Sequence, residues 1–385
     1  MVQYAAPACG VVNGGMAGGR ELRRYTRHLL IPEVGLAGQE RLRNARVLVV
    51  GAGGLGSPVL AYLAAAGVGR ILVVDDDIVD ETNLQRQILY DTADVGEPKA
   101  ERAAAKLHAL NPHVAVDPLN VRFSAANARA LVRLVDVVVD GSDTFGTRYV
   151  VNDACVLEKK PDVYGSIFRF DGQVSVFGAA GGPCYRCLYP EPPPEGTVPS
   201  CAEGGVLGAL AGIVGTLQAS ETLKLLLGIG TSLAGRLLLV DALDARMREV
   251  RITRDPACAV CGDSPSITDL VVSPERDERP PAGGADLDLA GYDAALAAGA
   301  IVLDVRAEHE RALGEVPGAV AIPAAQLEAR LHELDSARAY IVACRVGTVS
   351  AWAVARLKEA GFAKVYHLRD GLLALAARDA AFDLF

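Results

Sequence analysis

The sequence lacks a secretory leader pattern: its start, "MVQYAAPACGVVNGGMAGG", has no basic region ahead of an apolar core. It also lacks an apolar run of bilayer length. The most apolar later stretch, "GGVLGALAGIVGTL", meets Gln218, Glu221 and Lys224 before a membrane could be crossed. Positive charge is in deficit, with a formal net charge of −9, which argues against nucleic acid as a partner because that footprint is basic. A partner presenting a basic face is compatible with it. Internal repeats and low-complexity tracts are missing as well. These absences leave a cytoplasmic protein, off the membrane, as the expectation. In a reducing compartment, eight cysteines point to metal ligands and reactive thiols more than to disulfides.

What is present is core-forming. Hydrophobic residues make up 51% and charged residues 22% of 385, enough for substantial cores and too long for one typical domain. Residues 1–20 read as a flexible Gly-rich tail, followed by a helix at "ELRRYTRHLL". Strand-like runs at "RVLVVG", "RILVVD" and "VDVVVD" are separated by Ala- and Leu-rich segments around 56–66 and 99–109, the alternation of a parallel, doubly wound α/β sheet. A second block, about 161–255, holds "DGQVSVFG", a Pro-rich loop, a helical segment near 203–227 and "GRLLLVDAL". "SPERDERPPAGG" (273–284) is charged and rich in Pro and Gly, and reads as a linker within 266–285. The last hundred residues, 286–385, repeat a smaller α/β pattern with strands at "AIVLDVR", "AYIVACR" and "AKVYHL".

In "VLVVGAGGLGS", Gly51, Gly53 and Gly56 follow a strand and open a helix, the context in which such a turn lets backbone approach phosphate oxygens. Asp75, at the end of the next strand, stands where a ribose-hydroxyl acceptor belongs. The glycine spacing does not distinguish a dinucleotide from a mononucleotide. The cations do: Asn83, Arg86 and Gln87 in "NLQRQ", with Lys99 in "VGEPKAER", suit a triphosphate undergoing transfer. Asp143, in "DGSDTFGTR" after the third strand, is suited to hold Mg2+. As solitary residues, Arg86 and Lys99 could equally be solvated surface charges.

Cys184 and Cys187 in "CYRC" and Cys258 and Cys261 in "CAVC" form two C-x-x-C pairs separated by 70 residues. Four thiolates make a closed tetrahedral Zn2+ site, structural because no coordination position stays open. Cys201, ahead of a helix, is a candidate nucleophile, since helix N-termini lower a thiol's pKa; Cys9 and Cys155 read as tail and core. In "IVACRVGTVSAWAVARL", Cys344 ends a strand and precedes a loop with Gly347 and a helix, so that backbone N–H groups converge on its sulfur and favour a thiolate or a persulfide anion.

Taken together, "RYTRH", "GAGGLGS", "NLQRQ", "VGEPKA", "LNPHV", "CYRC" and "CAVC" resemble the MoeB/ThiF branch of the E1-like adenylating enzymes over about residues 20–265. The C-terminal "LDVRAEHERALGEVPGAVAIP" and "GFAKVYHLRDGL" resemble a rhodanese domain. The fold class that follows is α/β: a Rossmann-like doubly wound E1 (ThiF) domain over 21–265 with structural zinc, then a small rhodanese-like domain. The resemblance implies ATP and Mg2+, with Gly51, Gly53, Gly54 and Gly56 at the turn, Asp75 on the ribose, Asn83, Arg86, Gln87 and Lys99 on phosphates and Asp143 on magnesium. It implies a homodimer in which Arg27 reaches the partner's ATP, Cys344 as persulfide carrier, and Cys201 as the active-site cysteine of the first domain. The implied reaction adenylates the C-terminal Gly-Gly carboxylate of a ubiquitin-like sulfur-carrier protein. Sulfur from a persulfide or thiosulfate donor then converts that carboxylate to a thiocarboxylate.

Two departures stand out. Glu315 replaces the histidine many rhodanese relatives carry, and Arg345 is the one cation in "CRVGTVS", which weakens the case for thiosulfate. His309 and His367 read as structural or surface residues. The alternatives are an NAD-dependent oxidoreductase, a thioester-forming E1 for protein conjugation, and a non-catalytic scaffold. Thermal protection by NAD, survival of conjugation when Cys344 is mutated, and the absence of carrier-dependent ATP–pyrophosphate exchange are their respective tests.

Overall fold

A computed structural model of the chain describes residues 19–193, 204–270 and 285–378. Cys9, Cys201 and the linker segment 273–284 lie outside the described residues. Two compact units are formed by the described residues: one from 19–192 together with 206–270, the other from 193, 204–205 and 285–378.

The first unit is built on an eight-stranded sheet. Its parallel half contains β1 (Arg46–Val50), β2 (Arg70–Val74), β3 (Ala115–Leu119), β4 (Val137–Asp140) and β5 (Asp162–Phe168). The antiparallel half adds β6 (Asp171–Phe177), β7 (Arg236–Asp241) and β8 (Arg246–Arg251), in the spatial order β3-β2-β1-β4-β5-β6-β7-β8. Val47, Leu48, Val49 and Val50 are all buried, as expected for a central parallel strand covered on both faces. Each such side chain contributes roughly 1.5–3 kcal/mol by leaving water. Edge strand β3, "AVDPL", has no strand-like run in the sequence because Asp117 and Pro118 interrupt it. An edge position tolerates a residue without an N–H, and Asp117 pairs with Arg70 of β2.

Among the described residues no helix is long and apolar enough to cross a membrane. The helix Gly208–Leu227 instead packs against the sheet and the helix Gly56–Ala66. Gly215 lies against Pro58 and the Leu55 carbonyl with no room for a Cβ. Gln218, the first polar break in this apolar stretch, is fully buried and donates from Nε2 to the carbonyls of Asp140 (2.7 Å) and Val163 (3.0 Å). The polar residue therefore ties the helix to the ends of β4 and β5.

The second unit is a five-stranded parallel sheet of β9 (Ala285–Leu287), β10 (Ile301–Asp304), β11 (Val320–Ala321), β12 (Tyr340–Ala343) and β13 (Val365–Leu368), ordered β11-β10-β12-β13-β9. Asp304 and Arg306 of the "LDVR" motif form a buried ion pair at 2.7 Å, and Arg306 also donates to the Gly314 carbonyl at 2.8 Å. That motif braces the loop after β10.

Candidate functional site

The chain reverses its winding direction beside β1, which has β2 on one side and β4 on the other. Ligands of open α/β sheets gather beyond the carboxyl ends of strands at such a point. Gly51 follows β1 at φ +88°, and its Cα lies so close to Gly141, after β4, that a Cβ would sit 2.9 Å from the Gly141 oxygen. A Cβ on Gly56 would overlap the Gly51 carbonyl. Gly51 is therefore required by its positive φ and by the close approach of the loop after β4, and Gly56 by crowding within the turn. Gly53 and Gly54 face outward instead, toward the side chains of Gln87 and Arg86 respectively.

Asp75 caps this arrangement. Its carboxylate accepts from the N–H of Ala52 at 2.7 Å and of Asp77 at 2.9 Å. Burial pushes its carboxyl above the usual range, and the Ala52 N–H and Lys99 oppose that shift. Asn83, Arg86 and Gln87 lie on one short turn, where the N–H groups of Arg86 and Gln87 both donate to the Asn83 carbonyl. Gln87 is buried, and its Oε1 lacks a hydrogen-bond partner among the described residues. Lys99, first residue of the helix Lys99–Leu110, is buried with its Nζ 2.8 Å from Asp77. The sequence alone did not single out Asp77 or Tyr90. The Tyr90 hydroxyl donates to the carbonyls of Ala52 (2.9 Å) and Lys99 (3.2 Å), pinning the glycine turn to the lysine.

After β4, two carboxylates divide roles. Asp140 is buried and accepts from the Ser142 N–H at 2.9 Å and its hydroxyl at 2.6 Å, shaping the turn. Asp143 is exposed and has no hydrogen-bond partner among the described residues. Of the two, Asp143 is the one open to solvent, whereas Asp140 Oδ2 is buried without a hydrogen-bond partner among the described residues.

The N-terminal "RYTRH" is fixed by its tyrosine. Tyr25 is buried, packs against Gly67 and accepts from Asn111 Nδ2 at 2.8 Å; the same amide donates to the Ala64 carbonyl at 2.7 Å. Asn111 belongs to "LNPHV", so these two distant motifs are halves of one joint. Arg27, two residues on, is exposed and makes no ion pair among the described residues.

The four cysteines of the two C-x-x-C pairs come together, with all four sulfurs within 4.8 Å of one another. Neighbouring sulfurs are 3.3, 3.5 and 3.9 Å apart. That is too far for a disulfide near 2.05 Å, and close to the ~3.8 Å edge of a tetrahedron with 2.3 Å metal–sulfur bonds. Burial, then the neighbouring Cys187, pushes the Cys184 thiol up, and burial pushes Cys261 up to about 12. Four thiols crowded at tetrahedral spacing are the donor set a metal cation satisfies. The Asp255 N–H donates to Cys187 Sγ at 3.3 Å.

In the second unit Cys344 follows β12, beside β10, at the point where that sheet reverses its winding. The N–H groups of Gly347 (3.2 Å) and Ser350 (3.3 Å) donate to its sulfur, and the Ser350 hydroxyl lies 3.3 Å away. Burial pushes the thiol up, and these donors pull it back. Gly347, at φ +96°, lies against the Arg369 carbonyl with no room for a Cβ. The expected cradle is present. Ser350 escaped sequence reasoning, although its place in the first turn of the helix Thr348–Glu359 is the available signal. His367, expected to be structural or surface, is buried and in hydrogen-bond contact with Gly347 and Ser350. Cys155 is buried core, as expected.

A doubly wound sheet with a glycine turn at its reversal point, joined in one chain to a backbone cradle around a cysteine sulfur, defines the class: an adenylating enzyme with a sulfurtransferase module. The chain belongs to the ThiF family, whose model matches residues 25–260, and a rhodanese-like domain model matches residues 289–378. It is 58% identical over 256 residues to a sulfur carrier protein adenylyltransferase of Thermus thermophilus, covering 65% of this chain and 94% of that one. It is 45% identical over 370 residues to a probable adenylyltransferase/sulfurtransferase, MoeZ, of Mycobacterium tuberculosis, covering 92% and 93%. A crystal structure of E. coli MccB with MccA-N7isoASN shares the fold, with a TM-score of 0.57 at 22% identity over 62% of this chain and 75% of that one.

Proposed function

We propose that the protein activates the C-terminal Gly-Gly carboxylate of a ubiquitin-like sulfur carrier with ATP and then converts it to a thiocarboxylate with sulfur borne on Cys344. The observation that carries this reading is the pairing, in one chain, of the Gly51–Gly56 turn with the Cys344 cradle, each at its own sheet's reversal point.

The carboxylate oxygen of the carrier attacks the α-phosphorus of ATP, and the bond to the departing pyrophosphate breaks. The product is an acyl adenylate, whose AMP is a far better leaving group than oxide. Asp75 receives the ribose, the outward faces of Gly53 and Gly54 admit phosphate, and Arg86, Gln87 and Lys99 offset its charge. Asp143 would hold Mg2+, which lowers the charge on the phosphates. In a homodimer Arg27, exposed and without an ion pair among the described residues, would reach the partner's nucleotide. The terminal sulfur of a Cys344 persulfide then attacks the carbonyl carbon and AMP departs with its electron pair. Cys201 would break the resulting acyl disulfide by attacking the Cys344 sulfur, releasing the thiocarboxylate and leaving a Cys201–Cys344 disulfide for a reductant to clear.

Cys184, Cys187, Cys258 and Cys261 would hold Zn2+, which supplies a covalent-strength tie between segments 70 residues apart. Cys258→Ser should leave purified protein with less than about a tenth of its metal and lower its melting temperature on the order of 10 °C. Elemental analysis and calorimetry check both. The test of the whole reading incubates the protein with Gly-Gly carriers, ATP and a persulfide source, and weighs each carrier by mass spectrometry. A mass gain equal to exchanging oxygen for sulfur is expected. An unchanged mass for every carrier, with no carrier-dependent pyrophosphate exchange, refutes it.

A further inference from the structure

Between the glycine turn and the helix that carries Lys99 stands a side chain with no part so far in the reaction. Tyr90 is buried, and its hydroxyl lies 2.9 Å from the Ala52 carbonyl and 3.2 Å from the Lys99 carbonyl. We propose that Tyr90 is a positioning residue for ATP: its hydroxyl turns the Gly53 N–H toward the phosphate chain and seats Lys99 beside it. This deepens the ATP role given to the turn above and rests on it.

The effect runs through the peptide that joins Ala52 to Gly53. Ala52 is fully buried, and Gly53 is partly exposed. In a planar trans peptide the C=O and the following N–H point in opposite directions. Holding the Ala52 carbonyl inward on Tyr90 therefore aims the Gly53 N–H outward. Among the described residues that N–H has no acceptor, and no donor other than Tyr90 reaches the Ala52 carbonyl. The N–H of Ala52 is held as well, by Asp75 at 2.7 Å. One residue of the turn is thus gripped at both ends, by the carboxylate assigned to the ribose and by a phenol. The next N–H is left turned out, as a donor for an anion.

The same hydroxyl reaches the lysine. Lys99 opens its helix with its backbone fixed on both sides: its N–H donates to the Asp77 carbonyl at 2.9 Å, and its own carbonyl faces Tyr90. Tyr90 is fixed in turn by its N–H, which donates to the Gln87 carbonyl at 3.1 Å. The glycine turn, the Asn83–Gln87 turn and the lysine helix therefore meet at one residue. Burial, then the Asp75 and Asp94 carboxylates, push the phenol up, so it keeps its proton and serves as the donor to both carbonyls. A phenylalanine would fill nearly the same volume and leave the buried Ala52 carbonyl unpaired. That peptide could then rotate toward another donor, taking the Gly53 N–H with it.

The test reads nucleotide binding by titration calorimetry on the full chain, with Mg2+ and without a carrier protein. Tyr90→Phe should weaken ATP binding about fivefold, the scale of one hydrogen bond. It should leave the affinity for adenosine, which has no phosphate, within about twofold of the parent. A merely structural role would weaken both ligands alike, and that result overturns the proposal. Equal ATP affinity of parent and variant overturns it and leaves the ATP reading standing, whereas a parent that binds no ATP overturns both. Should Tyr90→Phe not fold, amide hydrogen exchange on the parent decides. Saturating Mg·ATP should slow exchange at the Gly53 amide at least about tenfold, and saturating adenosine less than about twofold. Equal protection by the two ligands, or protection by neither, overturns the proposal.

Discussion

Cys344→Ser should lower thiocarboxylate formation from a persulfide donor by at least about a hundredfold, while carrier-dependent ATP–pyrophosphate exchange stays within about twofold of the parent. The hydroxyl preserves the volume and can accept the same Gly347 and Ser350 N–H groups that now point at the sulfur. The unit should therefore fold unchanged. What disappears is the atom able to hold a second sulfur. In the proposed function exchange is assigned to the turn after β1, which belongs to the other unit and shares no residue with the cradle. Loss of both activities together would mean that the two chemistries are not separable in the way their placement suggests. Retention of both would remove Cys344 from the sulfur path and turn attention to the thiol at Cys201.

The parts of this architecture that could be read from sequence are those in which short-range chemistry dictates position. Gly51 and Gly56 announce themselves by local backbone demands: Gly51 sits at φ +88°, and a side chain on Gly56 would collide with the Gly51 carbonyl of the same turn. The two C-x-x-C pairs do so because four thiols converge on one point. Cys344 is legible because its loop, Gly347 and the helix that follows are contiguous. What stayed hidden depends on residues brought together by the sheet. Asp77 holds Lys99 across 22 residues, Asn111 holds Tyr25 across 86, and Asp286 holds His367 across 81. No local pattern marks such a pair. Edge strands were hidden too: β3 is interrupted by Asp117 and Pro118, and β8, "RMREVR", is exposed along its whole length and so has no apolar face to betray it. The partners of His367, expected as structural or surface and found buried, were hidden for a related reason. A lone histidine near the end of a strand looks inert until the carboxylate on the adjacent strand is known.

Lys99→Ala should reduce the rate of carrier-dependent ATP–pyrophosphate exchange by about 10²–10³-fold, the scale on which removal of a fixed donor to developing phosphate charge is felt. Lys99 is not an ordinary surface lysine. Its side chain is buried while the Asp77 it touches is largely exposed, so the pair is lopsided: the ammonium has left water and its counter-charge has not. A buried cation with a partner that solvent can rehydrate is poised to exchange that partner for a phosphate. Its backbone sits at the N-terminus of Lys99–Leu110, where the helix dipole favours the same anion. Asp143→Asn should act differently. With no hydrogen bonds to lose among the described residues, it should leave the fold untouched and raise the Mg2+ concentration needed for half-maximal exchange by at least about tenfold, since a neutral amide replaces a charged oxygen ligand. A titration with Mg2+ for each variant separates the two roles: excess metal should rescue Asp143→Asn and leave Lys99→Ala slow. If Lys99→Ala instead lowers the melting temperature and spares the exchange rate, the lysine is a strut between its helix and the segment after β2, and the phosphate role falls to Arg86 and Arg27.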